Sequence, residues 1–230
     1  MVTLAADLAA RSAASPRVGI DGRPVPLLRG RLHQALVVPS VVAGALVVRQ
    51  APTAHQKLAI AVYAATVVAM FTASAFYHCH ARGEATKVLA RRLDHTMIYV
   101  VIAGTHTAYW ILLASSRAAV GVLAVVWTVA AVGGVEKFRR LGTETRSGMS
   151  LIYPAMGLAA LPLLPTLWTT GGPLTVTLVI SGGAVFMVGA VLLHLRRLDL
   201  WPAVWGYHET WHGFVALGIA CHGLGVATLI

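Results

Sequence analysis

Seven long apolar stretches cover most of this 230-residue chain, roughly residues 33–48, 58–78, 94–114, 118–135, 149–168, 174–195 and 208–229. Only helices and closed barrels satisfy every backbone N–H and C=O inside a bilayer. Runs of about 20 apolar residues match a spanning helix, not the short alternating strands of a barrel. Hydrophobic residues make up 57% of the chain and charged residues 11%, where a soluble domain carries about 25% charged. The expected fold is an all-α membrane protein, a bundle of seven transmembrane helices. A segment over residues 1–32 precedes one membrane domain over 33–230. The first span is the shortest and contains Pro39. Within the leading segment, "TLAADLAARSAAS" has the makings of a short helix lying on the membrane. That segment has no compact apolar core, so no cleavable signal peptide is expected.

Basic residues orient the bundle. If the N-terminus starts in the cytoplasm, 15 of the 18 Lys and Arg fall on the cytoplasmic side, and only Arg49, Lys57 and Arg117 fall opposite. The positive-inside rule then places the N-terminus in the cytoplasm and the C-terminus outside, which requires an odd number of spans. The net charge of +10 is accounted for by loops facing anionic lipid. No aromatic-rich basic surface points to nucleic acid, which is excluded as a partner. Cys79 and Cys221 fall at opposite ends of their helices, so no disulfide is expected.

Against this background the ionisable residues inside the spans stand out, because a charged or metal-seeking group at bilayer depth marks a functional site by default. "SAFYH" places Ser74 and His78 four residues apart. "HETWH" does the same for His208 and His212, and residues at that spacing share a helix face. In the expected topology His78 ends span two, Asp94 begins span three, and His208 and His212 begin span seven, all toward the cytoplasmic side. Three histidines converging there supply the ligand count of a catalytic zinc site with one open position. The plainer reading is interfacial histidines bonding to backbone carbonyls. Asp94 and Ser74 are the candidate catalytic residues. Their plainer roles are a helix N-cap for Asp94 and a small residue for close helix packing for Ser74. "HETWH" also spells the H-E-x-x-H of zinc proteases, but the expected role of Glu209 is an interfacial carboxylate near Arg196 or Arg197. His33, His55 and His80 are expected at membrane edges, His95 in a structural role, and His106 and His194 as hydrogen bonders within the bundle. His222 lies ten residues beyond His212, about 15 Å along a helix, too far to share a metal. Tyr109, Trp110, Trp168, Trp201, Trp205 and Tyr207 are expected in aromatic belts.

"SAFYH", "RRLDHTMIYVVIAGTHT" and "GYHETWHGFVALGIACH", in that order, resemble the hemolysin III group of the PAQR superfamily, which also includes the adiponectin and progestin receptors. The resemblance implies a seven-helix bundle with a cytoplasmic N-terminus. It implies a Zn2+ site on His78, His208 and His212, with Ser74 and Asp94 supporting it. The chain departs from the family pattern in "AGTHTA" of span three and in "RGRLHQ" at the entry to span one. The expected activity is zinc-dependent hydrolysis of a lipid amide or ester inside the bilayer of the bacterial cell membrane, with a membrane lipid as substrate or ligand. The rival readings are a non-catalytic sensor of membrane lipid state with a structural zinc, a cytolytic protein, and an intramembrane zinc protease.

Overall fold

The computed structural model describes residues 24–114, 116–141 and 151–230. The leading segment's expected surface helix and most of the loop after residue 141 lie outside the described residues. Within them the chain is helical and forms no β-strand. Helix α1 runs over Arg31–Gln50 and α2 over Ala54–Ala75, continuing into a single π-turn at Phe76–His80. Helix α3 covers Glu84–Leu113 and α4 covers Ser116–Arg140. The short α5, Ile152–Gly157, passes through a 3₁₀ stretch, Leu158–Leu163, into α6, Leu164–His194, and α7 spans Tyr207–Ala227.

Among the described residues, six helical runs are long and apolar enough to cross a membrane. The stretch expected to form spans five and six is one of them, a run of 43 residues, Ile152–His194. At 1.5 Å per residue it is about 65 Å long, roughly twice the hydrocarbon thickness. It is broken at Gly172, whose φ of 70° and ψ of −173° are non-helical. That backbone region is open essentially to glycine alone, and Pro173 follows with no N–H to continue the helix.

Helix α3 begins ten residues before the expected start of span three, leaving only Ala81–Gly83 as a loop. The segment "EATKVLARRL" is charged, so hydropathy leaves it outside a span. Yet most of its residues are good helix formers, and Gly83, at φ 75°, supplies the turn at its start. Asp94 therefore sits three turns inside α3 and is no N-cap, as the plainer reading had it. Helix α1 continues through Pro39.

The first four helices pack each on the next, α6 pairs with α7, and α7 closes the bundle against α1 and α3. Tyr63, Met70, Phe71, Trp110, Leu167 and Val215 lie in the main core. Two tyrosines tie the closure: Tyr63 Oη donates to the Ile219 carbonyl at 3.2 Å and Tyr109 Oη to that of His222 at 2.9 Å. Tyr109 and Trp110 are thus buried, not in an aromatic belt, whereas Trp168 and Trp201 are exposed. The outward residues of α1 and α4, among them Val38, Leu46, Val120 and Val132, are apolar and exposed, as a lipid-facing surface requires. Cys79 and Cys221 form no disulfide.

Close approach of α6 and α7 depends on small residues, as is general where lipid removes the hydrophobic drive to associate. A Cβ on Gly218 would stand 2.7 Å from the Phe186 ring. Gly218→Leu is therefore expected to lower the thermal unfolding midpoint in detergent markedly, with a cost at or above the 1–3 kcal/mol of overpacking. Gly157→Ala, where an added Cβ meets nothing within 4 Å, should change it little.

Candidate metal centre

The end of α2 and the start of α7 are held together by the residues just before α1. Leu27 and Leu28 donate their amides to the carbonyls of Ala203 and Val204, at 3.0 and 3.1 Å. Arg29 Nε donates to Glu209 Oε1, and Glu209 Oε2 accepts the Gly206 amide at 3.0 Å. Glu209 is fully buried, and both its oxygens are engaged in ordering the first turn of α7. Its partner is Arg29, not the expected Arg196 or Arg197. The sequence separation of 180 residues hides that pairing from any local pattern. Gly30 follows at φ 75°, and a Cβ there would collide with the Cβ of His78.

On the other side of this clip, the π-turn ends α2 with the Ala81 amide reaching back to the Phe76 carbonyl at 2.8 Å. Such turns widen a helix by one residue and recur at functional sites. Here it carries His78 toward α7. The Nε2 atoms of His78 and His208 lie 3.2 Å apart. The His212 ring centroid is 4.9 Å from that of His78 and 4.7 Å from that of His208. One ring nitrogen from each of the three lies within 4.8 Å of the others, so the trio can hold a metal ion.

The donor set fits such an ion. Two nitrogens bound to one tetrahedral metal at 2.0–2.1 Å stand about 3.3 Å apart, close to the His78–His208 separation. His212 Nδ1 is buried without a hydrogen-bond partner. Neutral imidazoles suit zinc, copper, nickel and iron.

Asp94, from α3, places Oδ2 3.8 Å from His78 Nε2 and 3.6 Å from His95 Nδ1. His95 Nδ1–H donates to the Arg91 carbonyl at 2.9 Å, which holds that ring in the structural role expected of it. Ser74 is buried against the Asp94 carboxyl, and its hydroxyl meets no partner at hydrogen-bond geometry. All five residues singled out in the sequence thus converge at one end of the bundle.

One histidine of the site was not anticipated. His33, expected at a membrane edge, is 2% exposed and stacks on His212 with ring centroids 4.0 Å apart and an interplanar angle of 4°. Phe71 packs on it from α2, and neither of its ring nitrogens finds a partner. The available signal was a lone histidine at the first residue of the expected first span. Of the other histidines, His55 and His80 are exposed as expected, and His106 bonds to the Met156 carbonyl at 2.9 Å. His194 is exposed at the end of α6 and not a bonder within the bundle. His222 lies away from the site, against Phe186 and Tyr109.

The family model for haemolysin-III related proteins matches residues 23–223, which include every residue of this centre. The chain belongs to that family. The family forms part of the PAQR superfamily, and this chain, with its several apolar helices, is a multi-pass protein of the bacterial cell membrane. Among curated relatives, a protein named Hemolysin-3 from Bacillus cereus is 29% identical over 170 residues, covering 73% of each chain. A Hemolysin-3 homolog from Bacillus subtilis (strain 168) is 25% identical over 194 residues, 80% of this chain and 83% of the relative.

Breaking a buried ion pair from one side leaves a buried charge uncompensated, at about 3–5 kcal/mol. Arg29→Ala is expected to lower thermal stability sharply, and Arg29→Ala combined with Glu209→Leu to recover much of the loss. Additive losses in that double variant would show that the pair does not act as a unit.

Proposed function

We propose that this protein is a zinc-dependent hydrolase acting on a lipid amide or ester within the bilayer. The observation that carries the reading is the convergence of His78, His208 and His212 with the Asp94 carboxylate at one end of the bundle. A zinc ion bound by three histidines would lower the pKa of water to about 7 and polarise a carbonyl oxygen. With zinc bound, Asp94, 3.8 Å from His78 Nε2, would orient the attacking water or take its proton, and Ser74, buried beside it, would support the carboxyl. Glu209 has both oxygens occupied, which supports Asp94 over Glu209 as the base and weighs against a zincin-type protease. His33 stacked on His212 restrains that ligand's ring.

An apolar groove on the outside of the bundle supports a substrate arriving sideways. Val41 of α1, Ala65, Ala69 and Phe76 of α2 and its π-turn, and Leu93 and Met97 of α3 line it. Leu93 is the neighbour of Asp94 in the chain. In a membrane the occupant of such a groove is an acyl chain, which brings the lipid's polar linkage to the level of the histidines. The topology that fits is seven spans, with the 152–194 run divided at Gly172, the N-terminus cytoplasmic and the C-terminus external. The site then lies in the cytoplasmic half.

A second reading draws on the same contact. Asp94 Oδ2 is near enough to His78 Nε2 that a small movement would make it a fourth ligand. That would close the tetrahedron into a structural site, as in a non-catalytic sensor of lipid state.

Purified protein is expected to carry about one zinc per chain, the occupancy of a single tetrahedral site. His208→Ala should lose most of it by metal analysis. Unchanged zinc in all three single His→Ala variants would remove the site. Asp94→Asn should then cost about 10²–10⁴ in the rate of lipid amide or ester hydrolysis with zinc retained, whereas Glu209→Gln should act mainly on stability. If Asp94→Asn sheds the metal and no hydrolysis accompanies the wild type, the sensor reading replaces the hydrolase. A reporter fused after Ile230 is expected to be labelled only from outside the cell. Labelling from the cytoplasm alone would invert the topology.

A further inference from the structure

A second cavity, of about 420 Å³, opens beside the histidines where α1 and α3 begin and α2 ends. Arg29, Arg31, Arg82 and Lys87 line it, with His78 at one wall, and no carboxylate is among its described lining residues. Arg29 is fixed in place by buried Glu209, and Arg31 is held by Gln34, whose Oε1 accepts its Nη1 at 2.8 Å. Arg82 and Lys87 have no ion-pair partner among the described residues.

Two helices also start at this place. The N-cap positions of α1 and α3 are Gly30 and Gly83, and no side chain caps either helix. Gly83 lines the cavity itself. Exposed amides at a helix N-terminus attract anions, and arginine forks match phosphate oxygens. A cavity with four cationic side chains beside the uncapped start of α3 is built for a compact polyoxygen anion.

Its position says which kind. It lies between the end of one membrane-crossing helix at His80 and the start of the next at Glu84, the level of lipid headgroups. Exposed apolar side chains are next to its lining residues in the chain: Leu28 before Arg29, and Val88 and Leu89 after Lys87. Cations flanked by outward apolar residues suit a molecule that is anionic at one end and hydrocarbon at the other.

We propose that this cavity binds the phosphate of an anionic lipid headgroup, placing that lipid beside His78. Binding there requires neither a metal on the three histidines nor turnover, so it stands or falls separately from the hydrolase reading.

The test incubates the full chain in neutral detergent with equal amounts of chain-matched phosphatidylglycerol and phosphatidylcholine. Lipid retained per chain is counted by native mass spectrometry. Wild type is expected to retain phosphatidylglycerol preferentially. Arg82→Gln with Lys87→Gln, both at exposed positions, should reduce that preference about tenfold or more, as expected for losing two headgroup-level cations. Arg196→Gln with Arg197→Gln, which removes two exposed cations outside the cavity, should leave it unchanged, and so should His208→Ala, which removes a metal ligand but no cavity wall. Equal loss in the two double variants would mean diffuse surface charge and overturn the proposal. So would the absence of any preference in wild type. A third arm adds inorganic phosphate alone and reads the thermal midpoint. Stabilisation by phosphate without retention of phosphatidylglycerol would make the ligand a free anion and overturn the lipid assignment.

Discussion

The pair of Arg29 and the buried Glu209 sets the geometry at the histidine end of this bundle. A carboxylate taken out of water must be matched by a cation and hydrogen bonds or it destabilises the fold. Here the match comes from a residue that precedes the first helix, reaching one that begins the last. The first turn of α7 is thereby ordered with its N-cap amide satisfied by the same carboxylate. His208 and His212 sit on either side of Glu209 in that turn and a half, so what fixes the carboxylate also fixes both imidazoles. Gly30, next to Arg29, touches His78 so closely that no side chain fits between them. One clip therefore brings three parts of the chain to a common point.

The rest of the bundle holds that point by packing alone. Lipid-exposed valines and leucines on α1 and α4 gain nothing from leaving a hydrocarbon solvent, so helices associate through close contact and a few interhelical hydrogen bonds. Glycines on α6 and α7 admit Phe186, Phe214 and Trp211, and Tyr63 and Tyr109 reach carbonyls of α7. Beyond the histidine end the interior is largely apolar, the buried Thr66, His106 and Thr175 apart. The polar chemistry gathers where helices start and stop, because backbone groups are unsatisfied there and a π-turn or an uncapped glycine can be tolerated.

Much of this was legible beforehand. Ser74, His78, Asp94, His208 and His212 are conspicuous because they interrupt apolar runs, and the i, i+4 spacing of the two histidines in α7 survives in the structure. Three other features were hidden. The early start of α3 is written in helix propensity, which a hydropathy pattern does not register in a charged segment. His33 looks like an edge residue until α7 lays His212 over it. Arg29 is one of five basic residues before the first span, and nothing local separates it from the other four.

Hydrophobic pattern and charge, both local properties of the chain, determined by themselves that this protein is a helical membrane protein and which polar side chains are out of place in it. The family follows from the order of its motifs, also a property of the sequence alone. Only the tertiary structure decided that Glu209 is spent on Arg29, that Asp94 lies inside a helix beside His78, that a fourth histidine stacks on the centre, and that four cations enclose a cavity next to it. Each of these depends on which residues, tens to nearly two hundred positions apart, come to share a helix end. Packing of whole helices sets that, and no periodicity along one segment records it.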